Sequence, residues 1–194
     1  ILRKSFILKS GLLLGLWIMI LLVIFVFYKS KSEMDKIVYF DELTGAYNRN
    51  KFYECINQEI ARSKRYNIDF SIIMYDIDHF KRINDIYGHI AGDLVLKELT
   101  NLVKESIRIN DCLFRFGGDE FVILLLNVGL EDAKKVAEKI RVNTENADVF
   151  VENITLSLGV VEYMENENEE GILNRVDSML YKSKETGRNK ISYI

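Results

Sequence analysis

Acidic residues follow apolar segments at two places in the sequence. Asp76 closes the apolar run Phe70–Tyr75, and Asp119 and Glu120 come directly after a Gly-Gly pair between two strand-like runs. Carboxylates at adjacent strand ends can converge on one hard cation, and Mg²⁺ takes one or two protein carboxylates together with substrate phosphate oxygens. Turns are also commonly acidic for solvation alone. Spacing by itself therefore leaves a metal site and a solvated turn equally open.

A calcium-binding EF-hand loop is excluded at the first of these places. Asp76-Ile-Asp78 begins like such a loop. Its fifth and sixth positions are Phe80 and Lys81, where that loop needs an oxygen ligand and a glycine.

The elements that must position these residues follow from hydrophobic spacing. Helices are predicted over 48–65, 79–87, 91–107, 130–146 and 170–185, and strands over 70–75, 112–116, 121–126, 154–161 and 190–194. Gly117-Gly118 suits a hairpin turn, because a tight turn needs positive φ. From residue 70 onward the order is β-α-α-β-β-α-β-α-β. This order predicts an α+β fold in which helices flank a mainly antiparallel sheet.

The N-terminal region has a different composition from the rest of the chain. Residues 10–28 are 19 consecutive positions without a charge, and as a helix they would measure roughly 28 Å, close to the hydrocarbon thickness of a bilayer. We predict a transmembrane segment within 1–28, a helical linker over 29–40 and a catalytic domain over 41–194. A signal peptide and a buried helix are the alternatives, but the apolar run is long and no small-residue cleavage site follows it. The chain begins with Ile, so we expect it to be a fragment.

Charge and cysteine content narrow the class of protein. Residues 1–28 carry three basic side chains and no acid, so the remainder holds 23 basic against 29 acidic side chains, a net charge of −6. This balance argues against a surface that coats nucleic acid. Cys55 and Cys112 are too few for a disulfide framework and suit a reducing compartment. Lysines on both flanks of the apolar run only weakly favour a cytoplasmic C-terminal side.

Five segments, in order, resemble the motifs of the GGDEF domain family of diguanylate cyclases. They are the opening motif 41–49 (DELTGAYNR), the nucleotide-binding segment 76–93 (DIDHFKRINDIYGHIAGD), the signature hairpin 116–121 (FGGDEF), the core strand 155–159 (TLSLG) and the closing motif 184–189 (KETGRN). The resemblance covers about residues 41–194. It implies the palm-like fold shared with class III nucleotide cyclases and the condensation of two GTP molecules into cyclic di-GMP.

The resemblance implies a centre for two Mg²⁺ (or Mn²⁺) ions. Asp76, the backbone carbonyl of Ile77 and the carboxylate of Asp119 would hold one ion, with Glu120 beside them for the second. The metals would bridge the triphosphate and neutralise the pyrophosphate leaving group. Asp119 is also the candidate for assisting deprotonation of the attacking 3′-hydroxyl.

The resemblance also implies the groups that bind GTP. Lys81, Lys184 and Arg188 would neutralise β- and γ-phosphate charge, with Lys81 counted among the catalytic groups, and backbone N–H groups near Phe80 would assist. Gly118 would let the backbone approach the phosphates. The guanine would be bound by Asn84 and Asp93, with His89 near the same nucleotide. Taken one at a time, these residues also have ordinary interpretations. Lys184 and Arg188 could be solvated charges near a helix end, and Asp93 could be the N-cap of a helix that begins at residue 94.

Two further expectations come from the family. The resemblance implies one GTP per domain whereas the product contains two guanylates, so a homodimer is required. Arg108 and Asp111 resemble the family's RxxD inhibitory site, where an Arg can stack on guanine and bind phosphate; the alternative is a helix-terminal Arg and a strand-entry Asp. From the uncharged run at 10–28 we expect the protein in the inner membrane, with its catalytic domain in the cytoplasm.

Three other functions compete with the cyclase. The first is a catalytically inactive GGDEF module that senses GTP or cyclic di-GMP; such modules usually lose an acidic or glycine position of the hairpin, and none is lost here. The second is a cyclase for a mixed GMP–AMP dinucleotide, against which Asp93 argues. The third is a membrane-tethered scaffold, which would leave the acids and cations unexplained.

Overall fold

The computed structural model describes residues 17–27, 38–148 and 151–194. The chain divides into two units, Ile1–Val38 and Tyr39–Ile194. In the first unit, residues 17–27 are helical (α1) and their side chains are exposed. Across the described ranges, no helix is both long and apolar enough to cross a bilayer, so the predicted transmembrane helix has no support there. Residues 10–16 and 28 of that predicted span, and most of the predicted linker, lie outside the described residues.

The second unit alternates strands and helices, and most predicted elements are confirmed with small shifts at their ends. Its elements are β1 (Tyr47–Asn48), α2 (Arg49–Tyr66), β2 (Phe70–Ile77), α3 (Phe80–Tyr87), α4 (His89–Ser106), β3 (Cys112–Gly117), β4 (Glu120–Leu126), α5 (Leu130–Glu145), β5 (Leu156–Glu162), α6 (Glu169–Glu185) and β6 (Lys190–Tyr193). Strand β1 was not predicted, because a strand of two residues is too short to show a hydrophobic period in the sequence.

The strands form one six-stranded sheet in the order β1-β3-β4-β2-β5-β6. The inner pairs β3/β4, β4/β2 and β2/β5 are antiparallel, whereas β1/β3 and β5/β6 at the two edges are parallel. The sheet is therefore mixed, and the prediction of a mainly antiparallel sheet was wrong at both edges. The parallel pairing of β5 and β6 follows from the helix α6 that joins them, because a parallel pair needs a long crossover.

Strand β2 is buried along its whole length and separates two apolar layers. Ile73 and Tyr75 pack with α3, α4 and α5 on one face, and Ile72 and Met74 pack with α2 and α6 on the other. Successive side chains of a strand point to opposite faces, so a central strand with helices on both sides has no polar stretch. The helices flank the sheet, as predicted, and they cover both of its faces.

Gly159 of β5 lets helix α6 approach the sheet closely. A Cβ at this position would lie 2.4 Å from the carbonyl oxygen of Val176 and 2.5 Å from the backbone nitrogen of Leu180. Both atoms belong to helix backbone, which cannot move aside as a flexible side chain can. This contact fixes the height of α6 over the sheet, and with it the position of Lys184 in the last helical turn.

Candidate functional site: an acidic cluster at one end of the sheet

Strand pairing brings the predicted acidic residues together. Asp76 lies opposite Glu120 in the antiparallel pair of β2 and β4, and opposite Ser157 of β5 on its other side. Asp119 occupies the turn between β3 and β4, close enough for its negative charge to raise the pKa of Asp76. Three carboxylates therefore share one end of the sheet, as the sequence predicts.

The turn that presents Asp119 depends on its two glycines. Gly118 has φ of 53° and Gly117 has φ of 150°, values that side chains with a Cβ rarely adopt. A Cβ at either position would meet nothing within 4 Å, so backbone conformation and not space requires glycine here.

Asp76 is an unusual carboxylate because of its surroundings. It is 8% exposed, and Lys184 Nζ lies 2.9 Å from its Oδ2. Burial raises the pKa of Asp76 to about 6; the hydrogen bond from Lys184 opposes the rise, while the charges of Asp119 and Glu120 add to it. The carboxylates repel one another, and a divalent cation placed between them would relieve that repulsion.

The arrangement suits Mg²⁺ better than a cation that needs an all-protein cage. Among the described residues, no three Asp, Glu, His or Cys side chains form a ready-made metal site. Mg²⁺ usually takes one or two carboxylates and completes its shell with water and phosphate oxygens. Asp76 and Asp119, with the carbonyl of Ile77 at the end of β2, fit that mode of binding.

Asp78 holds the end of β2 in place and was not predicted as a site residue. It is 6% exposed, and its carboxylate accepts hydrogen bonds from Thr155 Oγ1 (2.7 Å), Ser157 Oγ (2.7 Å) and the backbone nitrogen of Asn189 (3.0 Å). A buried carboxylate with three donors is fully compensated. Asp78 thus ties the acidic end of β2 to β5 and to the turn that follows α6.

That turn carries Arg188, which the sequence predicts to bind phosphate. Gly187, Arg188 and Asn189 all have positive φ. The Asn189 side chain accepts from Arg141 (2.7 Å) and donates to Glu145 (2.7 Å), both on α5. Arg188 is exposed, and within the part of the chain that the structure describes it forms no ion pair. Its guanidinium is therefore available to an anion.

The predicted nucleotide-binding segment forms α3 and the start of α4. Phe80 begins α3 and is buried in the core, Lys81 is exposed, and Asn84 is half-buried. Gly92, which sequence reasoning missed, makes room for Asn84: a Cβ there would lie 2.0 Å from Asn84 Oδ1. The close crossing of two helices, which local sequence does not reveal, is the reason that glycine is needed.

The start of helix α4 differs from the sequence-based prediction. The helix begins at His89, which is exposed, and Gly88 precedes it without a side-chain cap. Asp93 therefore lies inside the helix and not at its N-cap, so the capping interpretation of Asp93 was wrong. The Asp93 side chain is exposed on α4, and Asn84 lies on the neighbouring helix α3.

Arg115 supports the turn of the hairpin and was also missed. Its Nε and Nη2 donate to the carbonyl oxygen of Gly118 (3.0 and 2.7 Å), and its Nη1 donates to both carboxylate oxygens of Asp41 (3.0 and 3.1 Å). Asp41 also accepts from Thr44 N (2.9 Å) and Thr44 Oγ1 (2.6 Å). Burial raises the pKa of Asp41, but the hydrogen bonds from Thr44 and Arg115 outweigh it and hold that pKa below its ordinary value. The opening segment of the domain and the acidic turn are thus joined through one side chain.

The predicted RxxD residues form a tight turn beside a cavity. Asp111 Oδ2 accepts from the backbone nitrogen of Arg108 (2.9 Å), and Oδ1 accepts from that of Leu126 (3.2 Å). The cavity measures about 350 Å³ and is lined by both residues, by Lys104 and by the aromatic residue Tyr47. The Asp therefore fixes the local backbone, while the exposed Arg108 side chain borders an open space.

The chain is similar to known proteins over the region that carries these features. Residues 38–190 match the sequence profile of the diguanylate cyclase GGDEF domain. The chain is 44% identical over 164 residues to the uncharacterised protein YhcK of Bacillus subtilis (80% of this chain, 45% of the relative). It is 40% identical over 162 residues to the probable diguanylate cyclase DgcT of Escherichia coli (80% and 35%). The chain spans less than half the length of both relatives.

Solved structures agree with the fold. The GGDEF domain of DgcB from Caulobacter crescentus, crystallised in complex with c-di-GMP, superposes with a TM-score of 0.75 at 27% identity, covering 80% of this chain and 92% of that one. The sequence profile, the two relatives and this fold coincide on the segment that carries the acidic hairpin. The chain belongs to the GGDEF diguanylate cyclase family.

Proposed function

We propose that this chain is a diguanylate cyclase that condenses two GTP molecules into cyclic di-GMP and two pyrophosphates. The observation that carries the proposal is the meeting of Asp76, Asp119 and Glu120 at one end of the sheet, with Lys184 2.9 Å from Asp76. A sensor that has lost activity has no need to keep all of these charges. Family membership adds independent support.

The residues present suit phosphoryl transfer with Mg²⁺ or Mn²⁺, two ions per site. When bound, the metals would polarise the α-phosphorus and neutralise pyrophosphate. Asp76, Asp119, Glu120 and the carbonyl of Ile77 would hold them. Lys184 would exchange its ion pair with Asp76 for one with the triphosphate, because the metal takes over the carboxylate.

The remaining predicted groups would bind and orient GTP. The exposed cations Lys81 and Arg188 would bind the terminal phosphates, with backbone N–H groups at Phe80. Asp93 would accept hydrogen bonds from the N1–H and the N2 amine of guanine, Asn84 would bind the same base through its amide, and His89 would lie beside the same nucleotide. Gly118 leaves its side of the turn open to the phosphates.

The reaction requires two copies of the domain. In each of two equivalent steps, the 3′-oxygen of one GTP forms a bond to the α-phosphorus of the other, and the bond from that phosphorus to pyrophosphate breaks. Asp119 assists removal of the hydroxyl proton. Because each domain holds one GTP, the two nucleotides must face each other across a homodimer.

The test is GTP turnover by the full chain with Mg²⁺, with products separated by chromatography, beside Asp119→Ala. We expect cyclic di-GMP from the parent protein and at least a hundredfold less from the variant, as for loss of a group that stabilises the transition state. Lys97→Ala, an exposed residue of α4, is the matched control and should retain activity. GTP binding without any cyclic di-GMP, in a protein shown to be dimeric, would refute the cyclase and leave a nucleotide-sensing module.

We further propose product feedback at the RxxD turn. The exposed Arg108 borders a cavity of about 350 Å³ with an aromatic wall, a combination that suits a guanine ring and a phosphate. The DgcB domain, similar in fold, was crystallised with c-di-GMP. Added cyclic di-GMP should inhibit the parent, and Arg108→Ala should relieve inhibition without lowering initial turnover; equal inhibition of both proteins would contradict the proposal.

Membrane attachment remains a proposal that rests on the uncharged run at 10–28. It would place the protein at the cytoplasmic face of the inner membrane, with residues 29–40 as a helical linker that controls pairing. Fractionation of cells that produce the full chain tests it. Recovery in the supernatant after high-speed centrifugation would contradict the proposal, whereas release only by detergent would support it.

A further inference from the structure

The two cysteines of the chain are neighbours in the fold, although they are far apart in sequence. Cys55 lies on α2, and Cys112 is the first residue of β3; both are half-buried and both are free thiols. The two side chains interact with each other and pack against the same apolar cluster, and the Cys112 thiol also lies 4.0 Å from the carbonyl oxygen of Asn110. This contact is separate from the acidic cluster and takes no part in the proposed cyclase mechanism.

The backbone elements that carry the two thiols are held together by packed aromatic rings. Phe52, one turn before Cys55 on α2, contacts Phe114 of β3 edge-on, with ring centroids 5.3 Å apart. It also contacts Phe116, further along β3, at 5.0 Å. These ring contacts pack α2 against β3 beside the thiols, so the two cysteine side chains stay near each other in the folded domain.

The surroundings make the two thiols chemically unequal. The interaction with the Cys112 side chain lowers the pKa of Cys55 to about 7; burial raises it, the charge of Lys51 lowers it further, and Glu54 acts against Lys51. Lys51 Nζ lies 2.9 Å from Glu54 Oε1, one turn before Cys55 on the same helix. The pKa of Cys112 is raised by the same interaction, by burial and by the nearby charge of Asp111. Cys55 is thus the thiol that loses its proton more readily, and Cys112 is the thiol that keeps it.

We propose that Cys55 and Cys112 form a site of reversible oxidation, at which a hydroperoxide converts the two thiols into an intrachain disulfide between α2 and β3. The thiolate of Cys55 attacks the peroxide, the O–O bond breaks, and water or an alcohol leaves, so that Cys55 becomes a sulfenic acid. The sulfur of Cys112 then attacks that sulfur, the S–S bond forms, and water leaves. The peroxide takes up two electrons, and an added dithiol restores the reduced pair.

The experiment follows the thiols of the full chain and does not depend on cyclase activity. The folded protein is treated with hydrogen peroxide at neutral pH, and free thiols are counted by mass after alkylation. We expect both thiols to disappear, a peptide pair joined through Cys55 and Cys112 with the loss of two hydrogens, and full reversal by dithiothreitol. Survival of both thiols, linkage only between chains, or oxidation to sulfinic acid without an intrachain link would overturn the proposal.

Two single variants test the assigned roles. In Cys112→Ser, a sulfenic-acid probe such as dimedone should label Cys55, because no resolving thiol remains. In Cys55→Ser, Cys112 should react about tenfold more slowly with peroxide, since a thiol with an ordinary or raised pKa holds little thiolate at neutral pH. Circular dichroism identifies any variant that has not folded, and in that case the peptide map of the parent protein still decides. Equal reactivity of the two variants would refute the roles assigned to Cys55 and Cys112.

Discussion

Replacement of Arg115 by methionine should destabilise the domain and displace the acidic turn. Methionine keeps a long apolar stem but removes every donor. The Arg115 side chain is 12% exposed and its partner Asp41 is 24% exposed, so the ion pair is largely shielded from water. Loss of the guanidinium leaves Asp41 with only its Thr44 donors and the carbonyl of Gly118 without a side-chain partner.

The size of the effect follows from these contacts. A hydrogen bond to a charged group contributes about 1.5–3 kcal/mol, and an unsatisfied buried group costs about 1–3 kcal/mol. The Asp41 carboxylate keeps other donors and some solvent. We therefore expect Arg115→Met to lower the free energy of unfolding by about 2–3 kcal/mol. Arg82→Met is the matched control: Arg82 is 59% exposed in its ion pair with Glu152, and its loss should cost about 0–0.5 kcal/mol.

The assay is urea denaturation followed by far-ultraviolet circular dichroism. Circular dichroism follows the helices of this domain, whereas the single tryptophan, Trp17, belongs to the other unit of the chain. Asp41→Asn and the double variant complete a cycle, in which we expect a coupling free energy of about 1–2 kcal/mol between residues 41 and 115. A loss below about 0.5 kcal/mol in Arg115→Met, or a coupling of zero, would refute the view that this side chain supports the turn.

Three other perturbations have defined outcomes. The difference in free energy of unfolding between the parent and Asp41→Asn should have its full size above pH 3.8 and should shrink as the pH falls below that value. The reason is that the pKa of Asp41 is depressed in the folded state, so protonation removes the stability that the carboxylate contributes. A constant difference during acid titration would contradict this. Gly159→Ala should lower the free energy of unfolding by about 1–3 kcal/mol through its clash with α6 backbone. Gly171→Ala, which meets mainly flexible side-chain atoms, should change that free energy by less than about 1 kcal/mol. Equal denaturation midpoints for the two variants would show that α6 can shift freely. Gly92→Ala should push Asn84 aside and weaken GTP binding by about tenfold in calorimetry while the fold persists; an unchanged dissociation constant would remove Asn84 from the binding site.

The sequence predicts those parts of the site that depend on local pattern. Asp76 and Glu120 sit where apolar runs meet polar residues, and the pairing of two strands with a tight turn follows from their spacing. The antiparallel register then places the two carboxylates opposite each other without further information. The helices were predicted for the same reason, since their apolar spacing is strong.

Features that depend on contacts between distant segments escaped prediction. Arg115 acts through Asp41, 74 positions earlier, and Gly92 matters only because α3 crosses α4 at that point. The parallel edges of the sheet depend on crossovers and not on strand composition. The start of α4 was misplaced because Gly88 provides no side-chain cap that could mark it.

The hydrogen bonds of Asp78 have a consequence for how the protein is made. Its partners Thr155, Ser157 and Asn189 lie 77 to 111 positions further along the chain. In a nascent chain the Asp78 carboxylate therefore stays hydrated until residues 155 to 189 have left the ribosome, and loops of this length close slowly. The hydrogen bond from the backbone nitrogen of Asn189 cannot form before the turn after α6 has emerged. The hydrogen bonds that hold the acidic end of the sheet are thus complete only when nearly the whole domain has been synthesised.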